Sequence, residues 1–175
     1  MKEIYVYGGA IALVDDEDYE KVSKVQWHIN QGYARGYPRQ SLGLNVSHLV
    51  MHRYVLGLGV GDNRIVDHIN GNKLDNRRIN LRFCTQLENQ RNKPKTKHNR
   101  SGFKGVGWMP TRGKWRARIR AGGREIHIGM FDSAEEAHKA WRAYAATLHG
   151  DFANFGSDKE NKQLAGSLLG AQEGK

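Results

Sequence analysis

Val66–Asn92, VDHINGNKLDNRRINLRFCTQLENQRN, carries the reading of the fold. Ile65–His68 reads as a strand running into a turn at Asn70-Gly71, a dipeptide suited to the left-handed conformations of tight turns. Leu81–Cys84 reads as a returning strand. Thr85 suits a helix N-cap and Glu88 follows three residues later, so TQLE fits a capping box, in which hydroxyl and carboxylate satisfy each other's orphan amides. The segment spells strand, long polar loop, strand, helix.

Its polar residues form an ordered set. Asp67 and His68 are adjacent at a strand end, where twist lets both border one site despite the alternation of side chains. Asn80 precedes the second strand and Asn89 falls one turn into the capped helix. Folding the hairpin onto the helix brings these four together. Imidazole titrates near neutral pH, so His68 suits a general base. Asp67 and Asn89 offer hard oxygen donors that suit Mg2+ or Mn2+, with water and a phosphate completing the shell. Asn80 can fix the imidazole tautomer through its amide or its carbonyl. A base, a divalent cation and a positioned imidazole are what phosphodiester hydrolysis requires. Taken singly, each residue reads more readily as a structural or solvated polar group than as a catalytic one, and the run Asn70–Asn80 as a loop bonded to itself; the ordered set is what carries the functional reading.

The segment resembles the HNH (His-Me finger) nucleases, specifically the phage and intron-encoded homing type with the pattern DHxxGNxxDNRxxNLRxxTxxxN. The upstream stretch Val14–Asp18, Trp27 and Met51-His52-Arg53 also look like the N-terminal part of that family. The resemblance implies a ββα-metal fold, His68 as general base, Asn80 as the residue orienting it, and Asp67 and Asn89 as ligands of one divalent cation. The family's third signature letter is often His; here it is Asn89, as in the homing subgroup, which argues against zinc.

Upstream, Ile4–Tyr7, Ala10–Val14 and Val25–Asn30 read as short strands, Asp15–Ser23 as a helix opened by acidic residues, and His48–Leu56 as a second helix. On that helix His48 and His52 would share a face, as a metal pair or as packed side chains. HLVMH lacks the glutamate of HExxH. Arg53, Arg77, Arg78 and Arg82 have two readings, phosphate contacts or intramolecular salt bridges.

From residue 102 the texture changes. Val106–Trp108, Lys114–Arg120 and Arg124–Phe131 read as strands, and Ser133 caps a helix running to about Leu148. KWRARIR alternates strictly, with Trp115, Ala117 and Ile119 on one face and Arg116, Arg118 and Arg120 on the other, spaced about 7 Å apart. Like charges in a row repel, so the row suits a polyanion better than mere solubility. Ser101–Phe155 resembles the Apetala-type (ethylene-response-factor) DNA-binding domain in FKGVGW, KWRARI, HIGMFDSAEEAHKAW and ANF. That family reads the major groove with a three-stranded sheet backed by one helix. By position it implies Lys104, Trp108, Arg116, Arg118 and Arg120 as contacts. Gly107, Glu125 and His127 depart from its pattern, so no sequence preference carries over. The pairing of the two domains recurs in phage homing endonucleases.

The expected architecture is α+β: a ββα-metal nuclease module with a β-rich N-terminal part at 1–92, a basic linker at 93–101, a three-stranded antiparallel sheet packed on one helix at 102–156, and a disordered tail at 157–175. The formal net charge of +10 favours a polyanionic partner, since neutralised phosphates release counterions. There is one cysteine, so neither an internal disulfide nor a CxxC zinc site is expected. No apolar run spans a bilayer and the N-terminus turns acidic early, which points to the cytosol, that of a host cell if the gene is a phage's. The expected function is a metal-dependent homing-type endonuclease acting as a monomer on double-stranded DNA, with no membrane and no obligatory protein partner. The alternatives are a DNA-binding regulator with a decayed nuclease module and, less in keeping with the arginine-rich face, an RNA-binding protein.

Overall fold

The computed structural model describes residues 1–37, 48–59, 61–95 and 98–156. The expectation for the tail falls outside them. Strands and helices are mixed along the chain, and all pairs of named strands are antiparallel, so the class is α+β. The chain divides into two compact units, Met1–Asn89 and Gln90–Lys175. Among the described residues no helix is long and apolar enough to cross a membrane.

In the first unit, β1 (Lys2–Val6) and β2 (Ala10–Val14) form a hairpin whose alternation buries Ile4, Val6, Ala12 and Val14. Helix α1 (Asp16–Ser23) follows, with acidic residues in its first turn. A second sheet has the order β3 (Gln26–Asn30), β4 (Tyr33–Tyr37), β5 (Leu49–Val50). Trp27 anchors this core, its indole Nε1–H donating to Val22 O at 2.9 Å. Gly36 is required opposite it, because a Cβ there would stand 2.9 Å from the Trp27 ring and 2.5 Å from Val25.

The segment read as one helix from His48 to Leu56 is instead β5 followed by the short helix α2 (Met51–Val55). Leu49 and Val50 pair with Gly36 and Arg35, so strand pairing wins where β-branched and aliphatic residues meet an open sheet edge. His48 therefore precedes a strand while His52 lies in α2, and the shared helical face does not arise.

β6 (Ile65–His68) and β7 (Leu81–Cys84) form the hairpin foreseen, and α3 (Gln86–Asn92) follows. The capping box forms: Thr85 N–H donates to Glu88 Oε2 at 2.7 Å, and Glu88 N–H to Thr85 Oγ1 at 3.3 Å.

The second unit is a sheet of order β10 (Arg124–Phe131), β9 (Lys114–Ala121), β8 (Val106–Met109), with α4 (Ala134–His149) packed across it. Val106, Ala117, Ile119, Ala137, Trp141 and Ala145 form its core. Ser133 Oγ accepts the Glu136 amide and caps α4. Described residues of the expected linker are folded onto this unit: Lys93 O accepts from Lys104 Nζ, and Asn99 Nδ2 donates to Phe103 O at 2.8 Å.

Candidate active site

The polar run between β6 and β7 is a loop held by its own side chains. Asn70 Oδ1 accepts from Asn72 N and Asn72 Oδ1 from Leu74 N, consecutive Asx turns. The loop then meets the edge of β2, where Leu13 N–H donates to Leu74 O and Asn76 N–H donates to Leu13 O, both at 2.8 Å. Arg77 forks onto Asp75 through Nε and Nη2, each 2.7 Å. Arg78 forks onto the buried Asp18, donates from Nη2 to Val55 O and from its amide to Asp15 Oδ2. Arg53 donates to Arg64 O and Asp62 O. Of the four arginines given two readings, these three thus make bonds within their own chain.

This framework buries His68 and fixes its tautomer. Asn76 Nδ2 donates to Leu74 O at 3.1 Å, which turns its Oδ1 toward His68 Nε2, 3.3 Å away. A carbonyl oxygen only accepts, so Nε2 carries the hydrogen and Nδ1 the basic lone pair. Burial holds the His68 pKa below the ordinary imidazole value, against the Asn76 bond and the charges of Asp67 and Asp75. A depressed pKa favours the neutral ring, whose Nδ1 can accept a proton. His52 stands edge-on to it, ring centroids 5.0 Å apart, and Tyr33 tilts against both at 5.4 and 6.0 Å. Burial first, then His68, pushes the His52 pKa down to about 3.

The imidazole contact expected of Asn80 is made by Asn76. Asn80 Oδ1 accepts from Asn70 N at 3.0 Å and its Nδ2 donates to Asp75 O at 2.7 Å, while its carbonyl accepts from Ile69 N. Asn80 clamps the two ends of the loop that carries Asn76. In the sequence the four asparagines of that loop are alike, and only the Asx turns decide which one faces the ring.

Asp67 lies on the opposite face of the hairpin from His68 and pairs across the strands with Arg82, whose Nε and Nη2 reach its Oδ2 at 3.0 and 2.8 Å. Cys84 shares that face. Burial raises its thiol pKa, helped by the Asp67 charge. Asp67 shares its face of the hairpin with Cys84, and the half-buried Asn89 lies in the helix that follows. Among the described residues no three His, Cys, Asp or Glu side chains gather as a metal cluster. What the chain offers a cation here is a buried carboxylate beside an amide-bearing helix turn, a donor set that fits a hard ion keeping most of its waters.

In the second unit the register sorts the expected contacts. Gly107 pairs with Arg116, and Arg116, Arg118 and Arg120 share one face. Trp108 pairs with Trp115 and so stands on the other face with Val106, half-exposed, its ring 5.1 Å from Trp115. Arg118 Nη1 donates to Glu125 at 2.8 Å. Lys104 is spent internally: its Nζ donates to Arg91 O and Lys93 O at 2.8 and 2.6 Å, and burial pushes its pKa down to about 8.

The HNH endonuclease family matches residues 46–91, the span holding Asp67, His68, Asn80 and Asn89. Protein 3.8 of Escherichia phage T7 is 37% identical over 90 residues, covering 51% of this chain and 74% of that protein. An HNH endonuclease of Acanthamoeba polyphaga mimivirus, described as uncharacterized, is 28% identical over 149 residues, covering 83% of this chain and 74% of that protein. No solved structure matches. Residues 46–91 thus carry an HNH endonuclease match, and nuclease action on DNA is the class of activity which that family suggests.

Proposed function

We propose that the chain is a metal-dependent DNA endonuclease of the homing type, built on a ββα-metal module, with His68 Nδ1 as the general base that takes a proton from the attacking water. The observation that carries this is the buried His68 whose Nε2 meets the Asn76 amide oxygen at 3.3 Å. A decayed scaffold has no need of an imidazole kept uncharged with one nitrogen committed. Asp67 and Asn89 would hold the divalent cation, Mg2+ or Mn2+. When bound, such an ion neutralises charge on a phosphate and stabilises a leaving oxygen. Arg82 holds the Asp67 carboxylate in place, and Asn80 positions the loop that carries Asn76. Tyr33 and His52 wall His68 from bulk water.

The second unit supplies affinity in this reading, as a sheet of the Apetala type laid in a major groove. Arg116 and Arg120 are its main contacts, Arg118 shares its charge with Glu125, and Lys104 and Trp108 act from behind the sheet. Nicking of supercoiled plasmid in Mg2+ or Mn2+ tests the nuclease reading. His68→Ala is expected to lose about 10³-fold in rate with its circular dichroism unchanged. Cutting at the wild-type rate by His68→Ala would remove the mechanism.

A further inference from the structure

We propose that Arg35 contacts the substrate, its guanidinium binding a nonbridging oxygen of the scissile DNA phosphodiester beside His68; this rests on the nuclease reading above. The alternation of β4 places the residue. Ala34 and Gly36 face the core, Gly36 against Val25 and Trp27, so Tyr33 and Arg35 project from the other face. That face holds the imidazoles: the Tyr33 ring meets both His52 and His68. Arg35 pairs with Val50, two residues before His52, and its charge bears on both His52 and Tyr33.

Among the described residues the buried Arg35 Nε has no hydrogen-bond partner. Of three such side-chain nitrogens among the described residues, it alone lies in the first unit, the other two being Arg91 Nε and His149 Nδ1. The neighbouring cations are all committed. Arg53, Arg77, Arg78 and Arg82 bond to their own chain, and Lys73 donates to Gln31 O with its ammonium 4.1 Å from the centre of the Tyr33 ring. An unsatisfied buried donor costs folding stability, and native proteins tolerate such costs mainly where a ligand completes the bond. A planar guanidinium fork matches the oxygens of a phosphate.

The test uses the full chain, two variants and two substrates. Arg35→Met keeps the stem and removes the charge; Arg35→Lys keeps the charge and loses the fork. Supercoiled plasmid and bis(p-nitrophenyl) phosphate, a single phosphodiester with no flanking phosphates, are each assayed with Mn2+. Arg35→Met is expected to lose about 100-fold in kcat on both, with Arg35→Lys recovering part. The Tm of Arg35→Met is expected to equal or exceed that of the wild type, since a buried Nε–H without a partner has been removed. Activity within about threefold of wild type overturns the assignment. So does a loss confined to plasmid, which marks a contact away from the scissile bond, or a fall in Tm, which marks a structural arginine. A wild-type chain inert toward both substrates overturns the nuclease reading and this assignment together, whereas active wild type with unchanged Arg35→Met overturns this assignment alone.

Discussion

Asn76 carries more of the site than its place in a row of polar residues suggests. It is 1% exposed, and its amide is used at both ends, on Leu74 O and on His68 Nε2. Removing the amide frees the imidazole to rotate and to exchange tautomers without touching DNA. Asn76→Ala is therefore expected to lower kcat about 10–100-fold with KM little changed, as steady-state nicking would show. An equal rise in KM would mean that Asn76 meets substrate. The arginines behave differently. Arg53, Arg77 and Arg78 are bound to carbonyls and carboxylates of their own chain, so their replacement belongs to stability.

At the scale of elements, the join between α1 and the loop before β7 is the Asp18–Arg78 pair. Asp18 is 2% exposed, and burial alone would raise its carboxyl; the hydrogen bonds from Arg78 and Lys21 outweigh this and hold it below its ordinary value. A depressed carboxylate lends stability above its unfolded value, and that stability is lost as pH falls through the folded one. Asp75, held down by Arg77 against its own burial, adds in the same sense. Unfolding by urea should therefore show the first unit weakening below about pH 4, with a shallower acid dependence in Asp18→Asn. At neutral pH, Asp18→Ala should cost about 2–3 kcal/mol, less than a fully buried pair because Arg78 is 44% exposed. A second element prediction concerns Gly105, with φ +77°, where a Cβ would fall 2.0 Å from Trp141 Nε1. Gly105→Ala should destabilise the second unit by more than about 2 kcal/mol in the same titration.

These elements also show what was legible in the sequence. β6, β7, the TQLE capping box, the Ser133 cap and the arginine alternation are local patterns, and each stands where its residues place it. β4 escaped notice because Gly36 reads as a turn residue until Trp27 is seen pressing on it. The start of α2 depends on pairing with β4, and the partner of Arg78 lies 60 residues away at Asp18. Which asparagine meets His68 is likewise decided by the folding of the loop.

For the whole molecule, the net charge of +10 makes DNA affinity depend on salt. The arginine face refines that expectation. Arg116→Ala and Arg120→Ala should each reduce the slope of log K against log salt by about 1, measured by fluorescence anisotropy on duplex DNA. Arg118→Ala should reduce it less, because Glu125 already offsets that charge. Equal effects at all three positions would show that the Arg118–Glu125 pair opens on binding. Labelling studies of this kind are helped by the place of the single thiol. Cys84 is half-buried, its thiol leans on Ile65 O, and burial keeps it protonated. Maleimide dyes react with thiolates. A cysteine introduced at an exposed position would therefore outpace the native one, and the wild-type background could carry a fluorophore without first being made cysteine-free.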